Sequence, residues 1–123
     1  MFEAQTEWIS PESFPDLKDH KYIAIDLETR DPNLKSRGSG ALIGDGEIVG
    51  ISVAVEGWSG YYSFGHKEGN FFDEVVVMRW IKDVCALPNV KLFHNAMYDV
   101  CWLRAYGVKI NGHIVDTMVM ASL

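Results

Sequence analysis

The run Tyr22–Leu27 (YIAIDL) constrains the fold more than any other part of this 123-residue chain. Alternate residues of a strand face opposite sides of a sheet. That puts Ile23, Ile25 and Leu27 on one face and Tyr22, Ala24 and Asp26 on the other. Both faces are largely apolar, so residues 21–27 are expected to form a central strand with neighbours on both edges.

The remaining elements are read around that strand. Residues 47–56 (EIVGISVAVE) and 60–65 (GYYSFG) predict a hairpin across a Gly57/Gly60 connection. Residues 72–86 predict a helix, because Val77, Trp80, Ile81, Val84 and Cys85 recur at helical spacing. A short strand at 90–93 (VKLF) follows. Asn95 is expected to cap a helix over 96–106, which Gly107 closes. Residues 108–115 read as extended, and Asp116-Thr117 opens another helix (MVMASL). A hairpin followed by strands alternating with helices predicts an α/β fold, a mixed sheet with helices packed on it.

Residues 1–20, with Pro11 and Pro15, read as a polar lead-in with a short turn at Pro11–Phe14. Residues 29–46 read as a long flexible loop. Its stretch GSGALIGDG lacks the Gly-Lys-Ser/Thr of a P-loop and opens a strand, not a helix.

Composition removes several classes. Hydrophobic residues make up 48% and mean hydropathy is near zero, as in a soluble globular chain. No apolar stretch is long enough to span a bilayer, and no membrane role is expected. Cys85 and Cys101 are too few for a disulfide framework and read as buried free thiols. The net charge of −6 argues against gripping nucleic acid by phosphate neutralisation alone. It leaves room for a grip through metal ions, stacking and a few polar contacts.

Two constellations could carry chemistry. Asp26 and Glu28 (DLE) lie two apart on a strand, so their side chains share a face with Cα atoms roughly 6.5–7 Å apart. They could converge on one oxygen-ligated cation such as Mg²⁺ or Mn²⁺. They could equally be two solvated side chains, and on spacing alone the readings stand level. The second is HNAMYD, His94–Asp99, where Asp99 falls in the first turns of a helix. Alone it is a helix-start charge favoured by the dipole; with Asp26 and Glu28 it makes a third carboxylate for a cradle of one or two divalent ions. His20, His66 and His113 are isolated, and Trp80 and Trp102 fit core faces of helices. No serine or cysteine has a histidine-and-acid pattern for nucleophilic catalysis.

The segments DLET (26–29), GEIVGISVA (46–54), YYSFGH (61–66), FHNAMYDVCWLRAYGV (93–108) and HIVDTMVMASL (113–123) come in a telling order. The chain resembles the proofreading 3′–5′ exonuclease domain of family A, polymerase I-like DNA polymerases, of the kind many bacteriophages encode. These belong to the DEDD superfamily, and the resemblance implies a ribonuclease H-like fold. It covers about residues 20–123, so that 1–20 is a lead-in and 21–123 a partial exonuclease domain. Asp26, Glu28 and Asp99 match the family's metal-binding, catalytic carboxylates. Thr29, His94, Asn95 and Tyr98 match positions that contact the 3′ end of single-stranded DNA. Asp116 matches a recurrent aspartate that is read as an N-cap. The implied chemistry is hydrolysis of the terminal phosphodiester with two Mg²⁺ or Mn²⁺ ions, releasing nucleoside 5′-monophosphates. A cytoplasmic setting, in a bacterium or a phage-infected cell, goes with it.

The family also uses a fourth carboxylate, from a Tyr-x-x-x-Asp motif downstream of the DT helix, and no such motif follows Asp116 here. The expectation is therefore the N-terminal piece of a longer polymerase, with little or no exonuclease activity by itself. An apolar face left for the rest of the polymerase, prone to self-association, is expected too. Two other readings stay open: a stand-alone, ribonuclease D-like nuclease, and a catalytically silent ribonuclease H-like binding module.

Overall fold

A computed structural model describes residues 14–65 and 72–118. Its elements are β1 (Tyr22–Arg30), α1 (Leu34–Arg37), α2 (Gly40–Ile43), β2 (Glu47–Val55), β3 (Trp58–Ser63), α3 (Glu74–Ala86), β4 (Val90–Phe93), α4 (Ala96–Ala105) and β5 (Ile114–Asp116). The five strands form one sheet in the order β3-β2-β1-β4-β5. β1 is antiparallel to β2, β2 to β3, while β4 runs parallel to both β1 and β5. This is the expected mixed α/β sheet, with β1 at its centre.

The two faces of the sheet differ. Ile23, Ile25, Ile51, Val53, Val55, Tyr62 and Phe93 are buried in one cluster with Val77, Ile81, Val84 and Cys85 of α3 and Trp102 and Leu103 of α4. α3 starts where Asp73 accepts from the Val75 N–H at 2.8 Å, and it turns its apolar stripe to this core. Its β-branched start does not prevent the helix, because the face it buries outweighs a weak local propensity. The opposite face carries Ala24, Ser52, Ala54 and Tyr61, all half-buried, and it also carries Asp26 and Glu28. A cleft of about 210 Å³ lies on it, lined among others by Ala24, Asp26, Ser52, Ala54, Leu92, His94 and Thr117.

Several boundaries moved. β1 continues through Asp26 and Glu28 to Arg30, beyond the expected end at Leu27, and its register with β2 shifts between Glu28 and Thr29. The carboxylates therefore sit inside the strand beside an irregularity that re-aims its end. The stretch 29–46 is not a structureless loop. Asp31 accepts from the Gly40 N–H at 3.0 and 3.1 Å, and Ser39 caps α2. Gly40 is required there, since a Cβ would meet the Asp31 carboxylate and the Asp45 carbonyl.

The segment 108–113 is not strand. Asn111 donates from its backbone N–H to the Cys85 carbonyl at 2.8 Å and from its side chain to the Ala86 carbonyl at 2.9 Å. Lys91, fully buried, reaches the carbonyls of Leu87 and Asn111, and burial lowers its pKa.

Residues 14–20 hold no regular element, yet Leu17 is buried and Phe14 stacks on Tyr62 with ring centroids 5.0 Å apart. Cys85 is a buried free thiol, whereas Cys101 is half-buried. Among the described residues, no helix is long and apolar enough to cross a membrane. His66, all but Phe14 of the turn expected at Pro11–Phe14 and all but Met118 of the expected MVMASL helix lie outside the described residues.

A candidate acidic site at the junction of β1 and α4

β1 and α4 bring Asp26, Glu28 and Asp99 to one end of the sheet. Asp99 sits in the first turn of α4 and is 3% exposed. Its Oδ2 has no hydrogen-bond partner. Burial pushes its pKa up to about 7; the Asp26 charge adds to the rise, the Leu27 N–H opposes it, and Asp116 adds again. The pKa of Asp26 is also raised, first by burial; His94 pulls it down and Glu28 pushes it up. A buried carboxylate that lacks a partner and faces other carboxylates is costly when ionised. Such a site either takes a proton or takes a cation. Among the described residues, no group of three Asp, Glu, His or Cys side chains stands close enough to hold a metal ion. The carboxylates feel one another's charge without closing to coordination distance.

The other expected contact residues divide. Thr29 and Tyr98 come together, with Thr29 Oγ1 2.7 Å from Tyr98 Oη. Tyr98 donates its single proton to Asp31 Oδ2 at 2.9 Å, so Thr29 must be the donor in their pair. His94 is exposed, with Nδ1 3.1 Å from Thr117 Oγ1. Asn95 stands before α4 at φ 97° and makes no capping bond with its side chain. The expectation that Asn95 caps this helix is corrected by its neighbour on β5. Parallel pairing sets Asp116 beside Phe93, and its carboxylate accepts from the Asn95 N–H at 3.2 Å and the Ala96 N–H at 3.0 Å. The left-handed backbone at Asn95, which asparagine tolerates better than most residues, goes with that cap. Asp116 also accepts from the Met118 N–H at 2.9 Å, as its N-cap reading expects.

Two contributors were not singled out from the sequence. Asp31 joins Tyr98 to the glycine-rich stretch. Tyr61 donates to Glu28 Oε2 at 2.5 Å from two strands away. The sharing of one face by Glu28, Gly50 and Tyr61 was available from strand alternation once the register was known.

No family model matches the chain. Over 109 residues, 85% of its length, it is 31% identical to a DNA-directed DNA polymerase of Pseudomonas phage M6. The chain spans 16% of that protein. The similarity supports a polymerase-related region.

Proposed function

We propose that the chain is the 3′–5′ exonuclease, proofreading portion of a DNA polymerase, built on a ribonuclease H-like sheet. The observation that carries this reading is the buried Asp99 carboxylate, unpartnered at Oδ2 and set against Asp26. Similarity to a phage polymerase and the antiparallel-then-parallel sheet support it. The donor set is all oxygen, which suits Mg²⁺ or Mn²⁺. Asp26, Glu28 and Asp99, if they closed from the separation they show here, would hold two such ions; when bound, these supply charge stabilisation at a scissile phosphate and activation of water.

The chain's own groups do the rest. Thr29, His94, Asn95 and Tyr98 flank the carboxylates and would orient the last nucleotides of a single strand. Tyr98, its proton committed to Asp31, offers that strand an acceptor. Burial of Asp99 keeps its charge from being screened by water, which strengthens its hold on an ion.

The test is binding of a fluorescent single-stranded DNA with a free 3′ end, measured with Mn²⁺ and with EDTA. Binding that needs Mn²⁺ and is lost in Asp26→Ala and Asp99→Asn is expected. Equal binding in EDTA, or no effect of either substitution, would overturn the reading. RNA of the same sequence, bound more tightly than DNA, would favour the ribonuclease D-like reading. The wide spacing of the carboxylates favours a second reading, a silent binding module. That module predicts no thermal stabilisation by Mn²⁺ and no change on Asp26→Ala.

A further inference from the structure

We infer that Tyr61 is a positioning residue for Glu28, and that Gly50 exists as the gap through which it reaches. The inference rests on the metal-site reading of Glu28 given above. Three observations carry it.

Register comes first. Glu28 on β1 pairs with Gly50 on β2, and Tyr61 on β3 pairs with Ser52. All four residues share the open face of the sheet, and Tyr61 lies diagonally across β2 from Glu28. A tyrosine is long enough to cover such a diagonal.

The contact comes second. The Tyr61 hydroxyl donates to Glu28 Oε2 at 2.5 Å, a short hydrogen bond. Glycine comes third. A Cβ at Gly50 would lie 2.8 Å from both Cε1 and Cζ of Tyr61, and closer still to its hydroxyl oxygen. The phenol therefore rests directly on the Gly50 backbone. No larger residue leaves the ring in that place. Glycine inside a strand is unfavourable and marks a close approach; here the approaching group is the tyrosine.

A glutamate side chain turns about three torsions. Anchoring one carboxylate oxygen from a neighbouring strand restricts them and sets the plane in which the group meets an ion. Outer partners of metal ligands act in this way, and losing one typically weakens metal binding about 10–100-fold.

The test is calorimetric titration of Mn²⁺ into the full chain, alongside Tyr61→Phe, Gly50→Ala, Glu28→Gln and Asp99→Asn. Tyr61→Phe keeps the ring and removes only the hydroxyl. It should weaken Mn²⁺ binding about tenfold while leaving the metal-free melting temperature unchanged. Gly50→Ala displaces the ring and should weaken binding to a similar degree. The double variant should be no weaker than the worse single one, because both act through the same contact.

Wild-type affinity in Tyr61→Phe, with Glu28→Gln and Asp99→Asn impaired, would overturn the role of Tyr61 and leave the metal site standing. Unchanged Mn²⁺ affinity with weakened DNA binding would overturn it too, since Tyr61 would then be a direct substrate contact. No Mn²⁺ uptake by the wild type, or uptake indifferent to Glu28→Gln and Asp99→Asn, would remove the metal reading itself and Tyr61's role with it.

Discussion

Asp99 is in tension with its surroundings. Its carboxyl has a folded pKa of about 7 against an ordinary value of 3.8, raised first by burial. Between those values the folded chain holds a proton that the unfolded chain releases. Stability associated with this group is thus present below about pH 4 and lost as pH rises through about 7. In EDTA, Asp99→Asn should therefore melt higher than wild type at pH 8, by an amount equivalent to a few kcal/mol at most, at about 1.4 kcal/mol per pKa unit. The difference should vanish near pH 4. Adding Mn²⁺ at pH 8 should reverse the order, stabilising the wild type alone. Thermal melts at the two pH values, with and without metal, check all three outcomes. The i, i+2 spacing of Asp26 and Glu28 made their shared face legible in the sequence, and HNAMYD marked Asp99. Asp31 and Tyr61 were not legible as partners, because each acts across a distance that the bulge after Glu28 and the strand register set.

Among the elements, β4 falls on residues 90–93 as its apolar run predicts, and α3 follows its periodicity. The hairpin forms, but β3 runs Trp58–Ser63, two residues earlier than the expected 60–65, so that Glu56 and Gly57 make the turn. α4 spans Ala96–Ala105, close to the bounds that Asn95 and Gly107 mark. The failures share one cause. α2 and the irregular 108–113 segment depend on contacts that close back over intervening residues: Asp31 with Gly40, Asn111 with Cys85, Lys91 with Asn111. Local pattern carries no trace of such contacts. The capping of α4 is of the same kind. Asp116 satisfies the Asn95 and Ala96 N–H groups from β5 and the Met118 N–H beyond it, so one side chain ties the start of α4 to a strand end. Replacing a cap by alanine costs about 0.5–2 kcal/mol. Asp116→Ala should fall at the upper end of that range in urea unfolding at pH 7, whereas Asn95→Gly should cost less than Asn95→Ala. The second comparison isolates backbone strain, since φ 97° suits glycine and penalises alanine. Equal losses in the two Asn95 variants would show that the side chain, not the backbone, matters there.

For the whole molecule, the net charge of −6 and the acidic end of the sheet bear on how DNA could be held. Proteins that grip phosphates with lysine and arginine release counterions, and their affinity falls steeply with salt, by roughly 0.9 in logarithmic slope for each neutralised phosphate on duplex DNA and about 0.7 on single strands. Here Arg30 is engaged by Glu47 and by the Gly65 carbonyl, and Lys91 is buried among carbonyls, so neither is free to serve a phosphate. On the proposed reading, divalent ions would supply positive charge at the site, with stacking and backbone contacts holding the strand. The expected signature is a shallow dependence on monovalent salt, a slope of magnitude about 2 or less, combined with an absolute need for Mn²⁺ or Mg²⁺. Fluorescence anisotropy of a single-stranded oligonucleotide between 50 and 300 mM KCl (roughly the range over which phosphate grippers lose most affinity) measures the slope directly. A steep slope that persists in EDTA would mean that lysines and arginines hold the strand. The acidic cluster would then have no part in recognition, and Asp99→Asn would strengthen DNA binding by removing a repelling charge.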